Sequence, residues 1–277
     1  MEQKVIVITG PTSGIGHCMA TTLARTGATI VLVARTLVRG KAVAAEITAA
    51  TGNPDIDVVP IDLGSRASIR RGAGELLGRH PRIDVLLNNA GLQSPHRHET
   101  SDGIERTWAT NVLAPFLLTS LLRPALEAAG DARIVSTASS FAGDLDLDDV
   151  EFRRRPYVGV AAYRQSKQAN RLWTWALARR LQGTGVTANA FNPGLVRKTG
   201  LYRDTPLFVR AILFFVGLRV GRTVEQGADT GVWLATSADV QGVTGRFYEQ
   251  RRELECEFRG EAAEERLSQL CERMTAK

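Results

Sequence analysis

The sequence predicts an α/β fold: a doubly wound parallel sheet of about seven strands with helices on both faces, built as a single domain over residues 1–277. Three observations carry this expectation. Short apolar, β-branched runs alternate with longer segments of helical periodicity from residue 4 to about 248, and strands spaced by helices pair in parallel through right-handed crossovers. A glycine-rich turn joins the first strand to its helix. No linker rich in Gly, Ser or Pro, no internal repeat and no low-complexity tract divides the alternation.

Taken in order, residues 5–8 (Val-Ile-Val-Ile) read as the first strand and 14–26 as its helix. Residues 30–33 form the second strand, followed by an Ala-rich helix over 37–50. The third strand is 57–61, with a helix over 66–78. The fourth, fifth and sixth strands are 83–87, 133–137 and 186–191, and a last short one lies within 242–248. Asn111 falls in a helical region between strands four and five, and Tyr163 lies near the start of a long helix continuing through Trp173 and Leu181.

Composition excludes several classes. There is no run of about 20 uncharged apolar residues, so no transmembrane segment is expected. The start, Met1-Glu2-Gln3-Lys4, runs straight into a strand and lacks the basic, apolar and small-residue order of a secretory signal. Three cysteines (Cys18, Cys256, Cys271) with no CxxC spacing argue against a disulfide framework or a zinc site. The expectation is a cytoplasmic protein without a metal. His96-Arg97-His98-Glu99 has no further clustered ligand set and reads as a solvated loop; His17 and Cys18 read as packing residues. The formal charge of +6 comes from 35 basic and 29 acidic residues. Its dense cluster, Arg153-Arg154-Arg155, follows an acidic stretch and has no interleaved aromatics for base stacking. The surplus therefore reads as arginine-rich surface, and no nucleic-acid partner is expected.

Between the first strand and its helix lies Thr9-Gly10-Pro11-Thr12-Ser13-Gly14-Ile15-Gly16. Glycines here let the backbone turn sharply and approach a pyrophosphate, which meets the free N–H groups and positive dipole end of the helix. A Gly-rich triplet alone is a weak signal; its place between a strand and a helix points to dinucleotide binding. At the end of the second strand a carboxylate would hydrogen-bond the ribose of NAD. This chain has Ala34-Arg35 instead, and a guanidinium suits a 2′-phosphate. NADP(H) is therefore expected over NAD(H); the alternative for Arg35 is a surface residue capping the next helix. Asp62 and Leu63, after the third strand, are placed to meet the adenine. Asn88-Asn89-Ala90-Gly91, after the fourth, offers amides and small residues where the ribose lies.

The reacting end is read from Ala162-Tyr163-Arg164-Gln165-Ser166-Lys167. Tyr163 and Lys167 are four apart and share a helical face. A phenol with an ordinary pKa of about 10 trades protons poorly near neutrality, and a neighbouring ammonium lowers that value. The pair makes a general acid/base for carbonyl and alcohol chemistry. Tyr157 has Ala161 four residues on and lacks such a partner. Ser139 and Ser140, after the fifth strand, offer a hydroxyl to polarise a carbonyl. Taken alone, Asn111 reads as a buried polar residue satisfied by backbone.

With these residues the chain resembles the short-chain dehydrogenase/reductase family. The likeness runs from the turn at Thr9 to Gly16 through Asn88 to Gly91, Asn111, Ser139, Tyr163 with Lys167, and Asn192-Pro193-Gly194. The acidic insertion over 143–157, the stretch over 162–170 and Gly242 to Tyr248 resemble the retinol-dehydrogenase-like branch and its bacterial relatives. The resemblance implies a Rossmann domain in which Tyr163 exchanges the proton and Lys167 holds the nicotinamide ribose and depresses the tyrosine pKa. It implies that Ser139 orients the substrate oxygen and that Asn111 supports a water-mediated path to Lys167. Pro193, Gly194 and Val196 then form the loop under the nicotinamide, with Thr199 as a carboxamide contact. Counting from the fifth strand selects Ser139 as the catalytic serine; counting back from Gly143 selects Ser140.

Residues 206–218 are apolar but interrupted by Arg210. They read as part of a substrate-covering segment near 197–222, with a core or oligomer-contact helix and a peripheral membrane contact as alternatives. The expected function is NADP(H)-dependent interconversion of a lipophilic ketone or aldehyde with its alcohol. A second reading is a non-catalytic dinucleotide-binding regulator or scaffold, which would not need Asn111, Ser139, Tyr163 and Lys167 together. The resemblance implies a homodimer or homotetramer.

Overall fold

The computed structural model describes residues 3–197 and 221–276. Thr199 and most of the expected substrate-covering segment lie outside these residues. The strands form one sheet in the order β3-β2-β1-β4-β5-β6-β7-β8. Their spans are β1 Val5–Thr9, β2 Thr29–Ala34, β3 Ile56–Pro60, β4 Val85–Asn88, β5 Arg133–Thr137, β6 Thr187–Phe191, β7 Phe247–Glu249 and β8 Arg252–Glu253. Every pair from β3 to β7 is parallel, and β8 closes the edge antiparallel to β7. The sheet thus has eight strands where about seven were expected. The extra one is a two-residue return after Glu249, too short and too charged to register as an apolar run. The fourth strand also starts at Val85 rather than residue 83.

Alternation along the strands divides the core into two layers. Val7, Val31, Val33, Leu86 and Ile134 face one side; Ile6, Ile8, Ile30, Leu32, Val85 and Leu87 face the other. Helices α3 (Arg66–Arg79), α4 (Arg106–Glu127) and α5 (Gly159–Arg180) cover the first layer. Helices α1 (Gly14–Ala24), α2 (Leu37–Thr51) and α6 (Val224–Thr236) cover the second. A last helix, α7 (Glu261–Thr275), lies across α5 and α4.

Helix α4 is long and apolar enough to cross a membrane by length and composition. Two-thirds of its apolar window is buried inside the fold, against the sheet, α3 and α5, as in a core helix. It opens as an α-helical turn, passes through a π-helical turn at Ala109–Leu113 and resumes as an α-helix at Ala114. Pro115 has no N–H, so it cannot close the α-type bond to the carbonyl of Asn111. The wider turn relieves that mismatch.

Candidate active site

The order 3-2-1-4-5-6 reverses direction between β1 and β4, and the carboxyl ends of all these strands open on one edge of the sheet. A crevice at such a switch point is where open α/β sheets bind ligands. The glycine turn lies at its centre. Gly10 has φ of +66°, and a Cβ there would fall 2.9 Å from the Cα of Ala90. A Cβ on Gly16 would fall 2.2 Å from the carbonyl oxygen of Gly10. Thr12 and Ile15 complete the turn, Gly14 sits at φ +54°, and Ser13 begins α1 without a side-chain capping bond. The first N–H groups of α1 are therefore not taken by the cap, and the turn fits a pyrophosphate.

Asn89 braces this turn. Its amide donates to the carbonyls of Thr9 (3.0 Å) and Gly10 (3.3 Å), while Asn89 N and Ala90 N both donate to Thr9 Oγ1 at 3.0 Å. Arg35 is exposed just beyond β2. Thr36, not Arg35, caps α2 through its hydroxyl, which accepts from Arg39 N. Arg39 was not singled out from the sequence; its guanidinium reaches the carbonyl of Thr12 at 3.3 Å, which links the first turn of α2 to the glycine turn. Its signal was the recurrence of arginine four residues after Arg35. Asp62 ends the adjacent strand region and accepts from Gly64 N at 2.9 Å, and Leu63 packs on the core below.

Deeper in the crevice, α5 carries Tyr163 and Lys167 inward; both are buried. Lys167 Nζ donates to the carbonyl of Thr137, the last residue of β5, at 2.9 Å, and lies 5.6 Å from the centre of the Tyr163 ring. Burial pushes the ammonium pKa down to about 8. A Cβ on Gly91 would lie 3.5 Å from both Lys167 Nζ and Asn111 Oδ1, so only a small residue leaves that space open. Asn111 accepts from Leu92 N at 2.9 Å and donates to Leu92 O and to Ser166 Oγ, at 2.9 and 3.0 Å. Its side chain is thus fixed by backbone and by α5, as the reading of the residue alone expected, and it stands beside Lys167. Tyr157 stands apart, hydrogen-bonded to Ser94 O and Glu105, with a pKa raised to about 12 by burial and the neighbouring carboxylate.

The two serines differ in their partners. Ser139 Oγ accepts from Phe141 N at 3.0 Å. Ser140 Oγ accepts from Asn192 Nδ2 at 2.8 Å and donates to Glu249 at 3.5 Å. Glu249 also takes the guanidinium of Arg222. Pro193, Gly194 and Val196 follow β6; Gly194 turns at φ +75° and Val196 is buried, bridging in parallel to Arg222. Neither Arg222 nor Glu249 was singled out, because their partners are far away in sequence. Among the described residues no three His, Cys, Asp or Glu side chains gather as metal ligands do. A cleft of about 430 Å³ lined by Trp175, Arg179, Arg259 and Glu264 lies at the opposite end of α5 from Tyr163.

Comparison with known proteins agrees with this layout. Residues 4–206 match the family model described as short chain dehydrogenase. Human retinol dehydrogenase 14 is 36% identical over 272 residues, covering 92% of this chain and 80% of its own. Mouse polyprenol dehydrogenase is 38% identical over 272 residues, covering 95% and 80%. A crystal structure of an uncharacterized protein from Mycobacterium paratuberculosis superposes with a TM-score of 0.80 at 30% identity, covering 99% of this chain and 94% of that one. A crevice at the β1/β4 reversal, a glycine turn built for close approach and a buried Tyr–Lys pair thus sit in a chain matched over most of its length; it belongs to the short chain dehydrogenase family, on the retinol-dehydrogenase-like branch.

Proposed function

We propose that the protein is an NADP(H)-dependent oxidoreductase that interconverts a lipophilic ketone or aldehyde with its alcohol, acting as one unit across residues 1–277. Oxidoreductase chemistry of the short-chain type follows from the family. The observation that carries the finer reading is the Lys167 ammonium, buried 5.6 Å from the Tyr163 ring with a carbonyl as its hydrogen-bond partner. Bound NADP(H) supplies or accepts the hydride. Gly10, Thr12, Ser13, Gly14, Ile15 and Gly16 would hold its pyrophosphate, with Asp62, Leu63, Asn89, Ala90 and Gly91 along the adenosine side and Pro193, Gly194 and Val196 along the nicotinamide side. The Tyr163 hydroxyl gives its proton to the substrate oxygen in reduction and takes it back in oxidation. Lys167 stabilises the phenolate that forms, and Asn111 keeps the space beside the ammonium polar. Ser139 orients the substrate oxygen; Ser140 is occupied by Asn192 and Glu249.

Support for the 2′-phosphate comes from two guanidiniums, Arg35 just beyond β2 and Arg39 in the first turn of α2, with no carboxylate between Ala34 and Gly40. Support for a lipophilic substrate comes from Phe141, Val158 and Val160. These are exposed apolar side chains two residues after Ser139 and within five residues before Tyr163. The relatives named for retinol and polyprenol, both lipophilic alcohols, agree with this class. The test is a carbonyl and alcohol panel run with both cofactors. Wild type should favour NADPH, and Arg35→Asp should shift preference toward NADH. Tyr163→Phe should bind NADPH normally yet lose about 10³-fold or more in kcat. Full activity in Tyr163→Phe, or equal efficiency with both cofactors in the wild type, overturns the corresponding part.

A further inference from the structure

Strand β7 ends on Glu249, and only Gln250 and Arg251 separate it from β8. Both turn residues have positive φ, 50° and 59°. A two-residue turn of this hand matches strand twist but usually recruits asparagine or glycine. Other residues there carry strain that the surroundings must hold. Those contacts are present: Arg251 N donates to Thr230 Oγ1 at 3.2 Å, and its guanidinium pairs with Asp229, both on α6. The hairpin so fixed presents the Glu249 carboxylate to the carboxyl edge of the sheet.

That carboxylate joins three separate pieces of chain. One oxygen accepts from Asn192 Nδ2 at 3.0 Å and from Ser140 Oγ at 3.5 Å; the other takes the Arg222 guanidinium. Asn192 in turn donates to Ser140 Oγ and accepts from Gly194 N at 3.1 Å. Arg222 donates to Pro193 O at 3.3 Å and covers Gly194 so closely that a Cβ there would lie 2.7 Å from its Cζ. Its backbone also pairs with Leu195 and Arg197, at 2.8 and 3.0 Å. The side chains of the pair are 18% and 23% exposed, so solvent screens it less than a surface pair.

We infer that Glu249, acting through Arg222 and Asn192, is a positioning residue that sets the loop at 193–196 against the end of β5. It thereby fixes how the nicotinamide half of the cofactor is held relative to Ser139 and Tyr163. The inference rests on the function proposed above, and its test separates the two. Glu249→Ala, Glu249→Gln, Arg222→Lys, Arg222→Ala and the Glu249→Ala/Arg222→Ala double variant are compared with wild type. NADPH affinity is read by fluorescence titration, turnover by kcat and KM, and folding by circular dichroism.

Glu249→Ala should weaken NADPH binding about 5-fold or more and lower kcat about 10-fold, with KM for the carbonyl within about twofold of wild type. Glu249→Gln, which keeps an acceptor for Asn192, should lose less. The double variant should be no worse than its worse parent, because both residues act through one pair. Arg222→Lys keeps the charge but cannot reach Pro193 O and Glu249 together, and should lose NADPH affinity while staying folded even if the alanine variants unfold. Folded Glu249 and Arg222 variants with wild-type NADPH affinity and kcat, or losses that multiply in the double variant, overturn the inference. A wild type that binds NADPH but turns over no carbonyl overturns the proposed function instead; the NADPH titrations then still decide the role of Glu249.

Discussion

At the scale of single residues, Lys167 is the most consequential group, because it carries a charge into a place where burial opposes it. Its folded pKa lies near 8, against the ordinary lysine value of 10.5. Between those values the unfolded chain holds a proton that the folded chain has released, so the free energy of unfolding rises with pH across that window. The slope approaches about 1.4 kcal/mol per pH unit, and below pH 8 the cost is constant. Lys167→Met removes the effect. The variant should be more stable than wild type at pH 7, and its advantage should shrink steadily from pH 8 to pH 10, as read by urea denaturation at each pH. An advantage that is flat with pH would show that the ammonium is not held at this cost. The juxtaposition of this pair was legible from a spacing of four on a helix, since local periodicity places both side chains together. Tyr157, with alanine four residues on, is held instead by Ser94 and Glu105. The choice between Ser139 and Ser140 was not settled locally, because the partners of Ser140 are Asn192 and Glu249, 52 and 109 residues away.

At the scale of elements, the start of α4 shows how a loop, a cap and a π-helical turn deliver one asparagine. Glu105 is fully buried and accepts from Thr107 N at 2.8 Å, Trp108 N at 2.7 Å and Tyr157 OH at 3.2 Å. It caps the helix four residues before the π-helical turn begins at Ala109. Glu105→Ala would leave two buried N–H groups without their acceptor, while the Tyr157 hydroxyl keeps the carbonyl of Ser94, at a cost of about 2–3 kcal/mol. Because Tyr157 stays protonated as the donor, Tyr157→Phe should cost less, about 1 kcal/mol. Denaturant midpoints of both variants check the order, and a Glu105→Ala variant as stable as wild type would refute this account of the cap. Most elements were readable: β5 was placed at 133–137 as found, and the helices after β1, β2 and β3 ended within two residues of expectation. The π-helical turn was not readable, since Pro115 removes a donor but the packing of Trp108 and Val112 against α5 decides how the chain absorbs the loss.

At the scale of the whole molecule, the alternation of strands and helices gave away the sheet, but the last helix went unread because only one of its faces is apolar and its partners come from four other segments. Helix α7 buries Leu267, Ser268 and Cys271 on that face. Leu267 and Cys271 pack with Trp108, Ala109, Val112, Leu113, Leu172 and Trp173, the same cluster that backs the π-helical turn bearing Asn111. Polar ties hold its ends. Glu264 pairs with Arg179, Glu265 and Glu272 with Arg180, and the carbonyls of Met274 and Thr275 accept from Arg66 and Arg70 at 2.8 and 2.6 Å. The ion pairs of Arg180 are half-exposed and contribute little singly, so Arg180→Ala should change stability by less than about 1 kcal/mol. The apolar contact is different in kind: burying a leucine side chain is worth about 1.5–3 kcal/mol, and removing one from a packed site costs about 2–5 kcal/mol. Leu267→Ala should therefore cost several times more than Arg180→Ala. The loss should also loosen the α4 turn, so amide exchange at residues 109–113 should quicken in Leu267→Ala and stay unchanged in Arg180→Ala. Equal stability losses in the two variants, or unchanged exchange at 109–113 in Leu267→Ala, would show that α7 is held by its charges and does not support the turn beneath it.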